Sequence, residues 1–276
     1  MIVHTVLRDC VYLNWALPAS LLPPAPAPLQ YEVHTVDNLE YVFVSALLFY
    51  NDRLRLASAP AIRFSYPQFN LRLYVTDDQG LPAVYFVSLM VPRWVVPGAR
   101  WLMGQPVIGA SFDYAQPSRS IEAESWRWSV RRGARLSIVG SPGTFEPAPG
   151  PLLGSLESKV EYFSQRDRGY SMVRSPGRSG AKSRLVLIEA RHRISAVWPL
   201  RVEVERVDLL TKILALGEGE AWPKLHSAWV CPEIPFSFEL NSEPGKSKLA
   251  PARTSVAADP AMSAEAPVWS DPSIAA

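Results

Sequence analysis

Four polar side chains spaced two apart, Gln68, Asn70, Arg72 and Tyr74, are the residues of this sequence best placed to do chemistry. In an extended segment they share one side, and Phe69, Leu71, Leu73 and Val75 share the other. A planar guanidinium beside two amides suits a carboxylate or carbonyl oxygen, which takes paired, charge-assisted hydrogen bonds. Read alone, the alternation puts the polar face in water and only the apolar face in the core.

Other chemistry-bearing residues form weaker patterns. Gly177 to Ser183 (Gly-Arg-Ser-Gly-Ala-Lys-Ser) fails as a phosphate loop, because its second glycine neither precedes the lysine directly nor follows the first by five residues. His4, His34, His192 and His226 have no HExxH or short paired spacing, so no metal site is expected. No GxSxG nucleophile elbow occurs. Cys10 and Cys231 stand at opposite ends of the folded part of the sequence, without metal or CxxC spacing, and read as reduced, buried thiols. Between Arg119 and Arg135, tryptophan alternates with arginine, which puts the tryptophans in the core and the arginines on a solvated surface.

The elements that must position these residues are mostly strands. Period-two patterning marks Thr5–Trp15, Phe69–Val75, Trp126–Val130, Arg135–Val139, Ser183–Arg193, Leu200–Arg206 and His226–Cys231, and the doubly apolar run Ala83–Met90 reads as a central strand. Helices are expected from Gly154 through Phe163 behind a Ser155 cap, over Val207–Leu216 ending at Gly217, and over Trp94–Met103 with Pro97 in the first turn. The prolines from Pro18 to Pro28 read as an extended connection.

At 276 residues, 48% hydrophobic and 20% charged, the chain can bury a sizeable core. One β domain is expected over residues 1–240. Residues 241–276, rich in Ser, Ala, Pro and Lys, bury too little apolar surface to offset ordering entropy and read as a disordered tail. A net charge of +2 argues against a nucleic-acid partner. The most hydrophobic run, Tyr41–Tyr50, is about half the length that spans a bilayer. No signal peptide is evident, so a cytoplasmic location without membrane partners is the expectation. The oligomeric state stays open.

Several short stretches, in order, carry a family resemblance: Leu13-Asn14-Trp15 with Leu21-Leu22-Pro23-Pro24, Tyr66 to Val75, Pro82 to Leu89, Gly98-Ala99-Arg100, Gly154 to Glu157, Trp198-Pro199-Leu200 and Leu225-His226-Ser227. Together they resemble the YqjF-like family (domain of unknown function family 2071). The resemblance implies a mainly β (α+β) fold like that of acetoacetate decarboxylase: a curved antiparallel β-barrel or sandwich around an apolar cavity, with a few peripheral helices. It also implies that the polar face of Gln68, Asn70, Arg72 and Tyr74 lines that cavity, with Arg100 as a second donor or a structural ion-pair partner.

The decarboxylase comparison places its Schiff-base lysine on Val107 and its site glutamate on Gln68, with a pocket arginine near Trp15. Imine chemistry needs an amine of depressed pKa. Valine offers none, no lysine precedes Lys159, and arginine stays protonated. The sequence therefore points to a small-molecule carboxylate or carbonyl pocket without a cofactor. The alternatives are a lyase or hydratase using Asp113, Glu157 or His226 as base, or a scaffold whose interior is filled.

Overall fold

The computed structural model describes residues 1–103, 106–114, 125–143, 153–174, 183–217 and 222–240. The expected tail, most of the Gly177–Ser183 loop and the start of the Arg119–Arg135 segment lie outside them.

Three long strands form the backbone of the fold: β1 (Ile2–Pro18), β4 (Leu39–Leu56) and β5 (Ala59–Thr76). They are about threefold longer than the usual five or six residues, and each is buried on both faces along much of its length. The short strands β2 (Gln30–Tyr31) and β3 (Val33–Val36) pair with β5 and β4. Then follow β6 (Pro82–Pro92), helix α1 (Val96–Met103), β7 (Val107–Tyr114), β8 (Trp126–Arg131) and β9 (Arg135–Pro142). Helix α2 (Leu156–Ser164), β10 (Arg168–Arg174), β11 (Ser183–His192), β12 (Trp198–Arg206), α3 (Asp208–Leu214) and β13 (Ser227–Leu240) complete the order.

The pairing closes on itself twice. One circuit runs β6-β7-β8-β9-β12-β13-β1-β4-β5 and back to β6; the other runs β6-β10-β11-β13-β1-β4-β5 and back. Five strands, β13, β1, β4, β5 and β6, are therefore walls common to a nine-strand ring and a seven-strand ring. Pairing is antiparallel except at β6–β7 and β6–β10.

The nine-strand ring is packed with large apolar side chains. Trp15, Phe69, Leu71, Leu73, Trp128, Ile138 and their neighbours fill it, and α3 adds Leu209, Leu210 and Leu214. Trp126 and Trp128 are buried while Arg127 and Arg131 are exposed, as their alternation required.

Bulges steer side chains between the rings. The β1–β4 register slips between Arg8 and Val11, where Asp9 takes a left-handed conformation (φ 49°). The β4–β5 register slips between Asn51 and Leu54, where Arg53 does the same (φ 52°). Against β5, β6 carries one extra residue, Val87. A single inserted residue moves every later side chain to the opposite face. Hence Leu7 and Tyr12, Asn51 and Leu54, and Phe86 and Leu89 face the same interior despite their odd-even mismatch.

The helices fall where the sequence put them, with shifted ends. Ser155 caps α2, its hydroxyl accepting from the Ser158 amide. Helix α1 starts at Val96, with Pro97 in its first turn. Helix α3 ends at Leu214, two residues before the expected Leu216, because Ala215 adopts the left-handed conformation (φ 54°) and closes the last turn. The proline segment is extended only in part, with a 3-10 turn at Ala19–Leu21.

Candidate functional site

The seven-strand ring is lined on its inside by a partly open chamber of about 100 Å³. Each of its strands contributes to the wall, and so does Arg166, which follows α2. Most of the wall is apolar, including Leu47, Phe49, Leu89, Ile188, Ile234 and Phe238.

The polar part of the wall is centred on β5. Gln68, Asn70 and Arg72 line the chamber, and the opposite face of the strand packs into the nine-strand ring. The sheet thus buries both faces of β5, which is why the polar face does not meet water: Asn70 is 8% exposed and Arg72 7%. Asn51 donates to Gln68 Oε1 at 2.9 Å, and Gln68 donates to Asn70 Oδ1 at 2.8 Å. This relay leaves the Asn70 amide N–H as a donor without a protein acceptor among the described residues.

Arg72 is held on three sides. Its Nε and Nη2 donate to the Tyr74 hydroxyl at 3.2 and 3.0 Å, and Nη2 also donates to the Phe163 carbonyl at the end of α2. Its guanidinium carbon lies 5.2 Å from the Tyr12 ring centroid and 5.4 Å from that of Tyr74, within cation–π range. Tyr74 is fixed in turn by a 2.7 Å contact with Ser45 Oγ. Burial pushes the Tyr12, Tyr74 and Cys10 groups up, so all three are neutral at pH 7. Arg72 therefore forms no ion pair with a described carboxylate, and its Nη1 has no acceptor among the described residues.

Arg166 makes the opposite case. Glu32 holds it through two parallel bonds of 2.7 and 2.9 Å, so its charge is cancelled within the protein. Of the two arginines on the chamber wall among the described residues, Arg72 is the one without a described carboxylate partner.

His192 also lines the chamber. Its Nε2–H donates to the Ser164 carbonyl, which leaves Nδ1 as a buried lone pair without a hydrogen bond. Burial chiefly holds its pKa down, and the Arg72 charge adds to this; the Ser164 bond and Asp167, 4.0 Å away, act against it.

The other expected site residues fall elsewhere. Tyr74 is fully buried behind Arg72, off the chamber surface. Val107 is 1% exposed and packs with Val91, Val95 and Ala99; it is paired with the chamber-wall residue Leu89 but does not itself line the chamber. Arg100 is exposed, and its Nε donates to the Val107 carbonyl at 2.9 Å, so it ties α1 to β7 and supplies no donor to the chamber. Trp15 belongs to the nine-strand ring. Asp113 and Glu157 are exposed, and His226 is buried against Phe43; none of the three lines the chamber.

Asn51, Arg166 and His192 are wall residues that sequence reasoning did not single out. His192 did carry a signal, since it falls in phase with Ile188 and Ala190 along β11. Cys10 and Cys231 are free, buried, and directly opposite each other on β1 and β13, although far apart in sequence.

Two closed circuits, one packed with large apolar side chains and one bordering a small chamber, define an acetoacetate-decarboxylase-like fold. Solved structures agree: the enduracididine biosynthesis enzyme MppR, complexed with the condensation product of pyruvate and imidazole 4-carboxaldehyde, superposes with a TM-score of 0.59 at 15% identity, covering 88% of each chain. An acetoacetate decarboxylase-like enzyme from Sphingomonas wittichii RW1 gives 0.53 at 14% identity, over 87% of this chain and 91% of its own. Residues 4–219 match the DUF2071 family, described as an uncharacterized conserved protein, and the chain belongs to that family. The uncharacterized protein YqjF of Bacillus subtilis (strain 168) is 26% identical over 176 residues, 63% of this chain and 69% of YqjF.

Proposed function

We propose that the seven-strand chamber binds a small carboxylate or carbonyl compound and does no imine chemistry. The observation that carries this reading is Arg72: a buried guanidinium with no described counter-carboxylate, bordering the chamber. Burying an unpaired charge costs several kcal/mol, roughly, and an anionic ligand would offset that cost. Arg72 Nη1 and Asn70 Nδ2 are the donors such an oxygen would meet. A chamber of about 100 Å³ holds about three waters' worth of volume, which fits an acid no larger than a few heavy atoms.

Pyruvate, present in a solved complex of the fold-related MppR, is a natural first probe. Acetate, acetoacetate and acetone test acid against ketone. Thermal melting and calorimetry of the full chain should show saturable stabilisation by the acids, reaching about 2.7 kcal/mol at a hundredfold excess over Kd. Arg72→Met should abolish it. If no acid raises Tm and Arg72→Met melts and binds as the parent does, the reading fails.

The imine exclusion is tested separately. Lys159 is buried (8% exposed) on α2, and burial lowers its pKa, but it does not line the chamber. Borohydride reduction in acetoacetate or acetone should leave Lys159 unmodified by mass spectrometry. An adduct there would restore Schiff-base chemistry to this fold.

A second reading, an enzyme of another class, is favoured by the free Nδ1 lone pair of His192. It gains ground if a saturable turnover of an oxo or hydroxy acid is lost in His192→Gln.

A further inference from the structure

The exposed arginines of this protein are not spread evenly. Arg93, Arg131, Arg132, Arg135 and Arg206 converge on one groove of about 490 Å³, remote in lining residues from the chamber. They come from three places: the turn after β6, the β8–β9 hairpin, and the junction of β12 with α3. Asp208 is the one acidic residue among the described lining, and Arg206 Nε engages it at 3.0 Å. Five cations against one anion in a chain of net charge +2 make this a marked local excess. Outward-pointing arginines on a solvated surface, as the hairpin sequence implied, do not account for that convergence.

Two structural details hold the excess in place. Arg131 and Arg135 are direct cross-strand partners in the hairpin, and Ser111 of β7 pairs with Arg131 on its other side. Like charges directly opposite in a sheet repel and destabilise it. The side chains of Arg93, Arg131 and Arg135 have no carboxylate or hydrogen-bond partner among the described residues. At the turn, Gly133 (φ 69°) admits a further cation, since its Cβ position lies 3.1 Å from Lys212 Nζ. Gly109 brings the sides together: a Cβ there would sit 3.1 Å from Arg93 Cγ, and its carbonyl accepts from Arg132 Nη1 at 2.8 Å.

We propose that this groove is a binding site for a compact small molecule carrying two or more phosphate groups. Guanidinium forks match phosphate oxygens, and each phosphate monoester brings a charge of about −1.5 to −2 near neutral pH. Among the described residues the lining has no aromatic ring to stack a base and no apolar wall for an acyl chain, Ala134 being its one aliphatic side chain there. Recognition is therefore by phosphate groups alone. A bound polyanion would also relieve the Arg131–Arg135 repulsion.

The test is calorimetry and melting of the full chain with sodium tripolyphosphate at low ionic strength, with the Arg131→Gln/Arg135→Gln double variant and Arg72→Met alongside. We expect saturable binding, a raised Tm, and affinity that falls as salt rises. The double variant should bind at least tenfold more weakly while melting at or above the parent, and Arg72→Met should bind like the parent. Absence of saturable binding, undiminished affinity in the double variant, or loss of binding in Arg72→Met overturns the proposal. So does binding to vesicles containing anionic phospholipid without binding to free tripolyphosphate, which would make the groove a lipid-headgroup surface instead.

Discussion

A buried cation without a counterion serves the folded state poorly, and Arg72 has none among the described residues. Its hydroxyl, carbonyl and ring contacts orient it without cancelling its charge. Replacing it with the apolar Met should change stability by only about 1–2 kcal/mol, because relief of the buried charge and loss of its hydrogen bonds oppose each other. A chemical-denaturation midpoint near the parent's, together with lost acid binding, would mark Arg72 as kept for the ligand. His192 makes a second residue-level expectation. Its folded pKa lies below the ordinary 6.5, chiefly through burial, so the unfolded chain takes up the proton first. Stability is then complete above about pH 6.5 and is lost as pH falls from there towards the lower folded value. His34, also lowered by burial, acts in the same window. Melting temperature should drop on going from pH 7.5 to 5.5, and His192→Gln should flatten that drop while leaving the part due to His34. An unchanged slope would remove His192 from the account.

Among the elements, β10 is the one whose approach to its neighbour shapes the chamber most directly. Gly169 of β10 pairs with Val84 of β6, and a Cβ at Gly169 would lie 2.4 Å from the Phe86 ring. Both Gly169 and Phe86 are wall residues. Gly169→Ala should therefore displace the Phe86 ring at a cost of roughly 1–3 kcal/mol. It should also weaken any chamber ligand, both read in melts with and without pyruvate; a parent-like melt would mean the two strands are not in such close contact. None of this was legible in the sequence, because β10 is short and its partner β6 lies some 80 positions away. Local pattern did reveal what local pattern controls: the alternation of β5, the doubly apolar β6, the Ser155 cap and the tryptophan face of β8. It missed β4 as a strand, since burial on both faces erases period two, and it gave no sign of the bulges, which fall on Asp9 and Arg53 where a glycine would have marked them. For the same reason the candidate site was half visible. Gln68, Asn70 and Arg72 are neighbours on one strand, whereas Asn51, Arg166 and His192 reach the wall only through ring closure. The placement of Arg100 and Val107 rested on a relative's chemistry, and the chain uses that segment for packing.

At the scale of the molecule, two rings share five strands yet differ in what fills them. The nine-strand ring is packed with tryptophan, phenylalanine and leucine, in keeping with the close packing of protein interiors. The seven-strand ring leaves about 100 Å³ open, with Gly169 and Ala190 on its wall where larger side chains would have closed it. Unfilled interior space costs stability in proportion to its volume, so the chamber is a standing cost to the fold unless something occupies it. Ala190 tests this, because it pairs with Phe238 and packs against the apolar cluster of Leu89 and Ile188, placing an added side chain on the apolar wall. Ala190→Leu should raise stability by about 0.5–2 kcal/mol, a gain of about 2–4 °C in Tm per kcal/mol, while suppressing the response to acetate and pyruvate. Destabilisation would mean that the chamber is already too tight for a few methyl groups. A raised Tm with the acid response intact would place the ligand outside the seven-strand ring, and Arg72 would then need a different explanation for its unpaired charge.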